Sequence, residues 1–361
     1  MVTPPNSREV LQHLTPATDD EVRRLVLSAP CKSSDLDPMP SSLVKDCIDI
    51  LVTPIVSIVN LSLTEGCFPS HFKSALVSPL LKKPTLNKHD MKNYWPVSSL
   101  SFLSKILEKV VASHLNSHIS GSHTSNHHQS AYKKFHSTET ALLKIHNDVL
   151  SSMEDGKVTA LTLLDLSAAF DTIDHTILLS RLDDWFGVSG KALDWFKSYL
   201  TGRSQRIKLG NCLSSKSDLS FGVPQGSVLG PLLFTLYTTP LSSLISGHAI
   251  PHHLYADDSQ LYISFSSGNS AGALKGLQSC LTSVQSWMSS NKLKLNPDKT
   301  EFLLIGNERQ RSKYLSMFPV ELLGVKTYPA KSACNLGVIF DKNFNFQTYM
   351  SAICSSCIYY I

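Results

Sequence analysis

The sequence has few features of a secreted protein. Its 361 residues include eight cysteines, but only Cys354 and Cys357 have the C-x-x-C spacing, and no second pair of this spacing completes a zinc site. We therefore expect the cysteines to be reduced and mainly structural, as is usual in intracellular proteins. The first eight residues contain Pro4 and Pro5 and lack an apolar stretch, which argues against a secretory signal.

A long uninterrupted apolar run is also missing. The longest apolar stretch, residues 48–63, is interrupted by Asp49, Pro54 and Asn60, whereas a membrane span needs about 20 consecutive apolar residues. We expect no membrane-spanning segment and no membrane partner. These absences predict an intracellular protein. Nucleus and cytoplasm stay equally open, because the sequence has no convincing basic localisation run.

Apolar residues are plentiful, and basic residues are unevenly distributed. Apolar side chains make up 42% of the chain, which at this length is enough to bury one large core or two smaller ones. The formal net charge is only +4. Between His71 and Val110, seven lysines minus the two acids Asp90 and Glu108 give a local charge of +5. Such a segment is able to follow a phosphate backbone, although a charge run by itself more often indicates a solvated face.

Hydrophobic periodicity predicts several helices in a mixed α/β fold. Apolar residues recur at helical spacing over residues 103–115 and 274–288, so each segment has one stripe that faces a core. Ser137 stands at the N-cap position of a helix that continues to Val149. Residues 175–202 carry aromatic side chains at helical spacings, and we expect paired helices in which these side chains pack.

Acidic residues follow two predicted β-elements. The apolar, β-branched run Val158–Leu164 predicts a buried central strand that ends at Asp165. Residues His253–Ile263 form two strand-like runs around a tight connection with Asp257 and Asp258, which predicts a β-hairpin. Adjacent carboxylates repel each other unless a cation compensates, and their hard oxygen atoms suit magnesium. Taken alone, either acidic site is also explained by an ordinary strand end or turn.

Five motifs resemble those of reverse transcriptases, in particular those of non-LTR retrotransposons, and they occur in the order that this family has. They are Leu163–Asp171 (LLDLSAAFD, motif A), Gly222–Ser227 (GVPQGS, motif B), Tyr255–Asp258 (YADD, motif C), Leu295–Glu301 (LNPDKTE, motif D) and Asn335–Val338 (NLGV, motif E). Upstream, Pro79–Lys83, Asn93–Ser98 and the stretch from Gln129 to Leu142 resemble the fingers region of the same family. The resemblance covers about residues 63–346.

This resemblance implies a right-hand polymerase fold of the α/β (α+β) class, with fingers, a palm and a truncated thumb. We expect an N-terminal extension at residues 1–62, which is too short for an endonuclease domain. The reverse transcriptase domain is expected at residues 63–342 and the start of a thumb at residues 343–361. With little thumb, backbone contacts to nucleic acid and processivity are expected to be reduced.

The implied activity is RNA-directed DNA polymerisation, in which deoxynucleotides are added to the 3′-hydroxyl of a primer on an RNA template. In the family pattern, Asp165, Asp257 and Asp258 are the catalytic ligands of two Mg²⁺ ions, with Mn²⁺ as a possible substitute. Lys299 matches the residue that protonates the pyrophosphate leaving group. The implied partners are therefore an RNA template, a DNA primer and deoxynucleoside triphosphates.

Four further residues are implied to contact the nucleotide. Phe170 lies five residues after Asp165, where the family has a bulky ring that clashes with a 2′-hydroxyl and so favours deoxynucleotides. Gln225 matches the residue that positions the templating pair and the incoming nucleotide. Lys82 and Lys83 match basic residues that contact the triphosphate or the template, and which of the two does so stays open.

Two positions depart from the family pattern. Trp95 replaces an arginine that clamps the triphosphate, and an indole cannot make the paired, charge-assisted contacts of a guanidinium. We therefore expect weak or absent activity in this chain. Ala131 replaces a glycine before the aromatic Tyr132, and it would strain the loop if this position required positive φ.

Two alternatives to an active reverse transcriptase follow from the same residues. One is a catalytically decayed remnant that still binds nucleic acid, which Trp95 favours. The other is a related palm enzyme, such as an intron maturase or an RNA-templated RNA polymerase. Phe170 argues against RNA synthesis, and the match at residues 299–301 favours the retrotransposon branch over maturases.

Overall fold

The computed structural model describes residues 4, 9–32, 34–121, 126–322 and 324–359. Within them the chain forms two compact units of mixed helix and strand, which confirms the predicted α/β class. The first unit contains the described residues before position 126 together with residues 170–237, and the second contains residues 126–169 and those from 238 onward. The predicted domain boundaries at residues 63 and 343 do not follow this division and stay predictions.

Helices and strands alternate irregularly along the chain. The α-helices are α1 (Asp19–Ser28), α2 (Ser41–Asp46), α3 (Ile48–Glu65), α4 (Phe102–Gly121), α5 (Thr138–Glu154), α6 (His175–Phe186), α7 (Gly190–Leu200), α8 (Leu229–Gly247), α9 (Ser270–Ser290), α10 (Glu308–Arg311) and α11 (Gln347–Tyr359). The strands are β1 (Ser74–Leu81), β2 (Tyr94–Ser99), β3 (Val158–Leu164), β4 (Leu166–Ser167), β5 (Arg203–Leu209), β6 (Cys212–Leu213), β7 (Ser217–Leu219), β8 (His252–Tyr255), β9 (Asp258–Phe265), β10 (Lys294–Leu295), β11 (Glu301–Ile305), β12 (Val320–Leu322), β13 (Val325–Thr327), β14 (Ser332–Asn335) and β15 (Val338–Asp341).

The sheet of the first unit has the strand order β2-β1-β5-β6, with β7 also paired to β5. Strand β1 runs antiparallel to β2 and parallel to β5. In this register Leu80 on β1 lies opposite Trp95 on β2, and both side chains are more than half exposed. Trp95 therefore belongs to an exposed sheet face and not to the core.

An aromatic cluster fills the helical part of the first unit. Trp195 and Tyr199 on α7 stack at 5.5 Å, and Phe68 meets both rings edge-on at 5.5 and 5.1 Å. All three side chains are fully buried, and Trp195 Nε1 donates to Ser62 Oγ on α3. The paired helices predicted within residues 175–202 are therefore confirmed as α6 and α7, with aromatic side chains packed in the core.

Helix α3 is long and apolar enough to cross a membrane, by length and composition alone. It has 18 residues, a mean hydropathy of 1.5 and an internal proline, Pro54. Seven of its residues are buried, and it packs against α1 and α7 of the same unit. No other helix in the described part of the chain passes that test, and the predicted absence of a membrane span stays a prediction.

The second unit is built on an antiparallel sheet with the strand order β11-β3-β9-β8. All seven residues of β3 are buried, which confirms the predicted central strand. The predicted hairpin is formed by β8 and β9. Helix α5 packs on this sheet, where Ile145 and Val149 join Leu161 and Leu303 in one buried cluster.

The other predicted helices are also confirmed. The stripes at residues 103–115 and 274–288 lie within α4 and α9. Ser137 is the N-cap of α5, and Thr140 completes a capping box in which each side chain accepts from the backbone amide of the other. This cap satisfies two amides that a helix start otherwise leaves without partners.

Candidate active site

Asp165 stands at the end of the central strand of the second unit. Leu164, the last residue of β3, pairs with Ser259 on β9, so Asp165 and Asp258 occupy the same end of two neighbouring strands. Beyond this point β4 pairs with β10, and Asn296 N donates to Asp165 O at 2.9 Å. These contacts bring the chain that leads to Lys299 beside Asp165.

The turn of the β8–β9 hairpin contains the other predicted carboxylates. Tyr255 and Asp258 are the last pair of the ladder, which leaves Ala256 and Asp257 as a two-residue turn. Ala256 has a φ of 54°, in the left-handed region that is uncommon for residues other than glycine. Because the turn is so short, the backbone holds Asp257 and Asp258 side by side.

A cavity of about 320 Å³ opens at this end of the sheet. It is lined by two leucines of β3 and by Asp165, Asp258, Lys299, Glu301 and Cys334. Three of the four predicted catalytic residues thus share one cavity. Asp257 does not line it and lies next to it at the tip of the turn.

Lys299 partly compensates the acidic charge. Its Nζ lies 2.9 Å from Asp165 Oδ2, but this buried oxygen accepts no hydrogen bond of normal geometry from the described residues. The contact is therefore an ion pair without a well-aligned hydrogen bond. The Lys299 side chain is 62% exposed, so water screens the pair and it contributes little to stability. Asp165 Oδ2 is left able to bind a second cation.

Burial and mutual repulsion raise the pKa values of the turn carboxylates. The pKa of Asp258 is raised from 3.8 to about 6, first by burial and then by the charges of Asp257 and Asp165. Burial also raises the pKa of Asp257, with a further contribution from Asp165. Lys299 opposes both shifts without cancelling them. The site therefore has an excess of negative charge that a cation would relieve.

The side chains at this cavity suit a divalent cation. Across the described residues, no three His, Cys, Asp or Glu side chains converge into a complete metal site. Asp165 nevertheless has a buried oxygen without a hydrogen bond, and Asp258 presents a second carboxylate to the same cavity. Mg²⁺ prefers such oxygens and commonly completes its shell with waters and substrate phosphates. Asp165 and Asp258 therefore fit a partial Mg²⁺ site.

Two hydrogen bonds hold the β14–β15 hairpin against this sheet. Cys334 N donates to Glu301 Oε2 at 3.0 Å, and Gln260 Nε2 donates to Asn335 Oδ1 at 3.0 Å. The partners are 33 and 75 positions apart in the chain. Sequence reasoning had no signal for these contacts, because periodicity reports only neighbours within one element.

Residues 129–142, which resemble the fingers region in sequence, lie in the second unit with the acidic hairpin, and their assignment to the fingers stays a prediction. A parallel bridge joins Gln129 to Leu254 on β8. Positive φ occurs at Tyr132 (60°) and Phe135 (64°) and not at Ala131. The condition for strain at Ala131 is therefore not met, and the unfavourable backbone conformation falls on the two aromatic residues instead.

The other predicted site residues, Phe170, Gln225, Lys82 and Lys83, belong to the first unit. Phe170 and Gln225 lie together there. Val223 N donates to Phe170 O at 2.9 Å, and Gln225 Nε2 donates to Asp171 Oδ2 at 3.0 Å. The half-buried Phe170 ring packs on Phe234 at 4.9 Å. The loop that carries Gln225 is therefore tied to the end of the motif A segment.

The two glycines that flank Gln225 approach the protein backbone. Gly222 has a φ of 76°, and a Cβ there would lie 2.8 Å from backbone atoms of Phe170 and Asp171. Gly226 has a φ of 107°, and its Cβ would lie 2.7 Å from Ser98 O. Glycine at such a position often permits close approach of a ligand. In the structure Gly222 and Gly226 permit close approach of neighbouring chain segments.

The two basic candidates differ in what they contact. Lys82 Nζ donates to Lys92 O at 2.7 Å and so joins the two ends of the segment between β1 and β2. Lys83 is exposed, and its side chain makes no hydrogen bond or ion pair with the described residues. Lys83 is therefore the more available of the two for a phosphate.

Comparison with known protein families gives a match over most of the chain. Residues 82–337 match the family described as "Reverse transcriptase (RNA-dependent DNA polymerase)". This segment is more than half of the chain and contains the cavity residues together with Phe170 and Gln225.

Curated relatives are similar over nearly the whole chain. "Probable RNA-directed DNA polymerase from transposon BS" of Drosophila melanogaster is 30% identical over 352 residues, which are 95% of this chain and 38% of the relative. "RNA-directed DNA polymerase from mobile element jockey" of Drosophila funebris is 26% identical over 94% of this chain and 36% of its own length. "Retrovirus-related Pol polyprotein from type-1 retrotransposable element R1" of Bradysia coprophila is 25% identical over 80% and 27%. The chain thus spans less than two fifths of these relatives.

Proposed function

Because the chain belongs to the family of reverse transcriptases, or RNA-dependent DNA polymerases, we propose that it is the polymerase part of a non-LTR retrotransposon protein. In this proposal the second unit corresponds to the palm, which carries out the chemistry, and the first unit contains the fingers. The reaction adds deoxynucleotides to the 3′-hydroxyl of a DNA primer under the direction of an RNA template. Its products are an extended primer and pyrophosphate.

The observation that carries this proposal is the cavity at the end of β3. Asp165 and Asp258, which are 93 positions apart in the chain, line it together with Lys299. Burial, and after it repulsion among the carboxylates, destabilises the ionised form of Asp258 and raises its pKa to about 6. Structural carboxylates are usually satisfied by hydrogen bonds, whereas perturbed carboxylates in a cleft are typical of catalytic sites.

Two Mg²⁺ ions, held by Asp165, Asp258 and the neighbouring Asp257, would activate the primer hydroxyl and offset charge on the triphosphate. The protein contributes by aligning the carboxylates before substrate arrives. The β3–β9 pairing fixes Asp165 relative to Asp258, and the two-residue turn fixes Asp257. Such preorganisation lowers the barrier because the charges need little rearrangement during reaction.

Lys299 supplies the proton in this proposal. Its exposed ammonium lines the cavity and pairs with Asp165. When an anionic triphosphate enters, the ammonium is free to turn toward it, because the ion pair with Asp165 lacks a well-formed hydrogen bond. It would then donate a proton to the departing pyrophosphate and reduce its negative charge.

Phe170 and Gln225 select the nucleotide in this proposal. The Phe170 ring is held by Phe234 and by the hydrogen bond from Val223 N to its backbone oxygen, so it cannot easily move away from a 2′-hydroxyl. Phe170→Val is expected to increase ribonucleotide incorporation relative to deoxynucleotide incorporation. Lys83, the less engaged of the two lysines, is the proposed phosphate contact in the fingers.

The test is Mg²⁺-dependent extension of a DNA primer on a polyribonucleotide template. We expect deoxynucleotide addition that is abolished by Asp257→Ala and by Asp258→Asn. Asp155→Ala is the matched control, because Asp155 pairs with Lys157 at an exposed position of the same unit, and it should leave extension unchanged. Extension that survives in both Asp257→Ala and Asp258→Asn would contradict the proposed mechanism.

A catalytically decayed nucleic-acid-binding protein is the second candidate, and Trp95 is the observation that favours it. The indole is 54% exposed on β2, where the family pattern has a phosphate-clamping arginine. Trp95→Arg should therefore lower the KM for deoxynucleotides. If neither the original chain nor Trp95→Arg extends the primer, although both bind RNA, the decayed remnant is the correct description.

A further inference from the structure

The segment before α5 runs along the outer edge of the acidic hairpin. Leu254 N donates to His128 O at 2.8 Å, and Ser130 N donates to Leu254 O at 3.0 Å. Gln129 forms a parallel bridge with Leu254 between these two bonds. Strand β8 is the last strand in the sheet order, so this segment satisfies backbone groups that an edge strand otherwise leaves open.

The Gln129 side chain reaches from this segment to the catalytic turn. Its Oε1 accepts from Ala256 N at 3.1 Å and from Ala131 N at 2.8 Å. Gln129 is only 2% exposed, so both bonds are shielded from water. One amide oxygen therefore joins the edge segment to the residue that directly precedes Asp257.

The Ala256 amide depends on an acceptor of this kind. Ala256 has a φ of 54°, a conformation that is unfavourable for a residue with a Cβ relative to right-handed alternatives. A hydrogen bond to its amide favours this conformation over alternatives that turn the amide elsewhere. Asp257 and Asp258 follow immediately, so the orientation of Ala256 decides where their carboxylates point.

We propose that Gln129 is a positioning residue for the catalytic hairpin, and that its Oε1 holds the left-handed Ala256 so that Asp257 and Asp258 are aligned for metal binding. This inference rests on the proposed polymerase function for its catalytic consequence. The hydrogen bond itself and its effect on the turn do not depend on that function.

The chemistry of Gln129 supports a role beyond packing. Its Nε2 is buried and finds no partner among the described residues. An unsatisfied buried donor destabilises the folded state, so an apolar side chain of similar size would pack at this position with less penalty. The amide is useful here because of its oxygen, which bonds the turn.

The decisive experiment replaces Gln129 by methionine, which has similar length and lacks the acceptor. In Gln129→Met the amide hydrogen of Ala256 should exchange with solvent about 10-fold faster. This rate is measured by hydrogen exchange of the whole protein, on the fragment that contains the β8–β9 hairpin. Loss of a residue that orients metal ligands commonly costs about 10- to 100-fold in metal affinity or activity. We therefore expect a higher Mg²⁺ concentration for half-maximal extension, a lower kcat and little change in the deoxynucleotide KM.

A second substitution separates positioning from general stability. Glycine adopts positive φ without penalty, so Gln129→Met/Ala256→Gly should recover a large part of the lost kcat and Mg²⁺ response. Gln310→Met is the matched control, because the Gln310 amide bonds Gly156 O elsewhere in the same unit. This variant should leave the Mg²⁺ response and the exchange of the hairpin unchanged.

Two results would overturn the proposal. One is unchanged exchange at Ala256 in Gln129→Met. The other is a loss of activity that follows the loss of thermal stability, with no change in Mg²⁺ response and no recovery on Ala256→Gly. If the original chain does not extend primers at all, the proposed function fails. Hydrogen exchange then still decides whether Gln129 holds the turn.

Discussion

Each unit of this protein has at least partly buried carboxylates, and their surroundings differ between the units. In the first unit Glu108 on α4 is fully buried and has a hydrogen-bond partner for each oxygen. In the second unit Asp165 and Asp258 face a cavity, and a buried Asp165 oxygen lacks a hydrogen bond. Burial raises the pKa of both Glu108 and Asp258, so the difference lies in what surrounds them.

Glu108 is surrounded by donors. Its Oε2 accepts from Val228 N at 2.8 Å and Leu229 N at 3.1 Å, at the start of α8. Tyr199 and Ser104 donate their hydroxyls to it at 3.3 and 3.1 Å. A carboxylate at a helix N-terminus also interacts favourably with the helix dipole. These donors and the nearby charge of Arg203 partly offset its desolvation.

In the second unit the carboxylates of Asp165, Asp257 and Asp258 lie close to one another. Burial raises the pKa of Asp258, and Asp257 and Asp165 raise it further, while Lys299, the cation that lines the cavity in the described structure, is largely exposed. This arrangement costs stability, whereas the hydrogen bonds to Glu108 reduce the cost of burying it. Glu108 is therefore a fully buried acid that contributes to the fold, whereas Asp165 and Asp258 are partly buried acids that are available for chemistry.

The largest expected effect is the removal of Glu108. Glu108→Ala should lower the free energy of unfolding by about 3 to 5 kcal/mol, because it leaves two backbone amides and two hydroxyls without their acceptor. Glu108→Gln should lose less, since it keeps an acceptor oxygen. Chemical denaturation measures both. Asp218→Ala, at an exposed position of the same unit, is the control and should stay within about 0.5 kcal/mol of the original.

A loss below about 1 kcal/mol in Glu108→Ala would contradict a stabilising role for the hydrogen bonds of Glu108. It would mean that water or a rearranged side chain replaces the carboxylate at the start of α8. Glu108 would then resemble an ordinary surface acid in its energetic role, despite its burial.

The second unit was easier to predict from the sequence than this network was. Strand Val158–Leu164 and the hairpin with Asp257 and Asp258 were predictable, because apolar runs and turn residues are local signals. Glu108 was counted as part of a charged, solvated segment. Its burial depends on residues 228–229, which are 120 and 121 positions away, and no periodicity within α4 reports them.

The candidate site was predictable to a similar extent. Asp165, Asp258 and Lys299 were identified through family motifs, and the structure brings them to one cavity. For Gln129 the sequence indicates only that it belongs to a stretch that resembles the fingers region. Its bond to the Ala256 amide is set by the packing of an edge segment on β8, which sequence patterns do not encode.

An intermediate effect is expected from adding a methyl group in each unit. Gly222→Ala should destabilise by at least about 2 kcal/mol, because it combines positive φ with a Cβ 2.8 Å from backbone atoms. Gly276→Ala in α9 should instead stabilise by about 0.5 to 1 kcal/mol, since its Cβ would meet nothing within 4 Å in the described structure. Thermal unfolding of both variants tests the pair. If Gly222→Ala and Gly276→Ala changed the free energy of unfolding equally, the motif B loop would relax easily around the added methyl group.

Removing the charge of Asp258 should change stability less than removing Glu108, and in the opposite direction. Asp258→Asn should abolish extension and yet raise the free energy of unfolding at pH 7 by about 1 kcal/mol, because it removes a repelled charge whose partial exposure weakens the repulsion. Loss of both activity and stability would instead give Asp258 a structural role like that of Glu108.

The pH dependence of the free energy of unfolding tests the sign of the effect of Asp258→Asn. The pKa of Asp258 rises from 3.8 to about 6 on folding, so its stabilising contribution is full below pH 3.8 and is lost as the pH rises through about 6. His252 and His253, with pKa values lowered from 6.5 to about 4, act oppositely and lose their contribution as the pH falls. Their effects cancel when Asp258→Asn is compared with the original chain. The difference in unfolding free energy should therefore grow in favour of the variant between pH 4 and pH 6, and a flat difference would mean that Asp258 titrates alike in the folded and unfolded states.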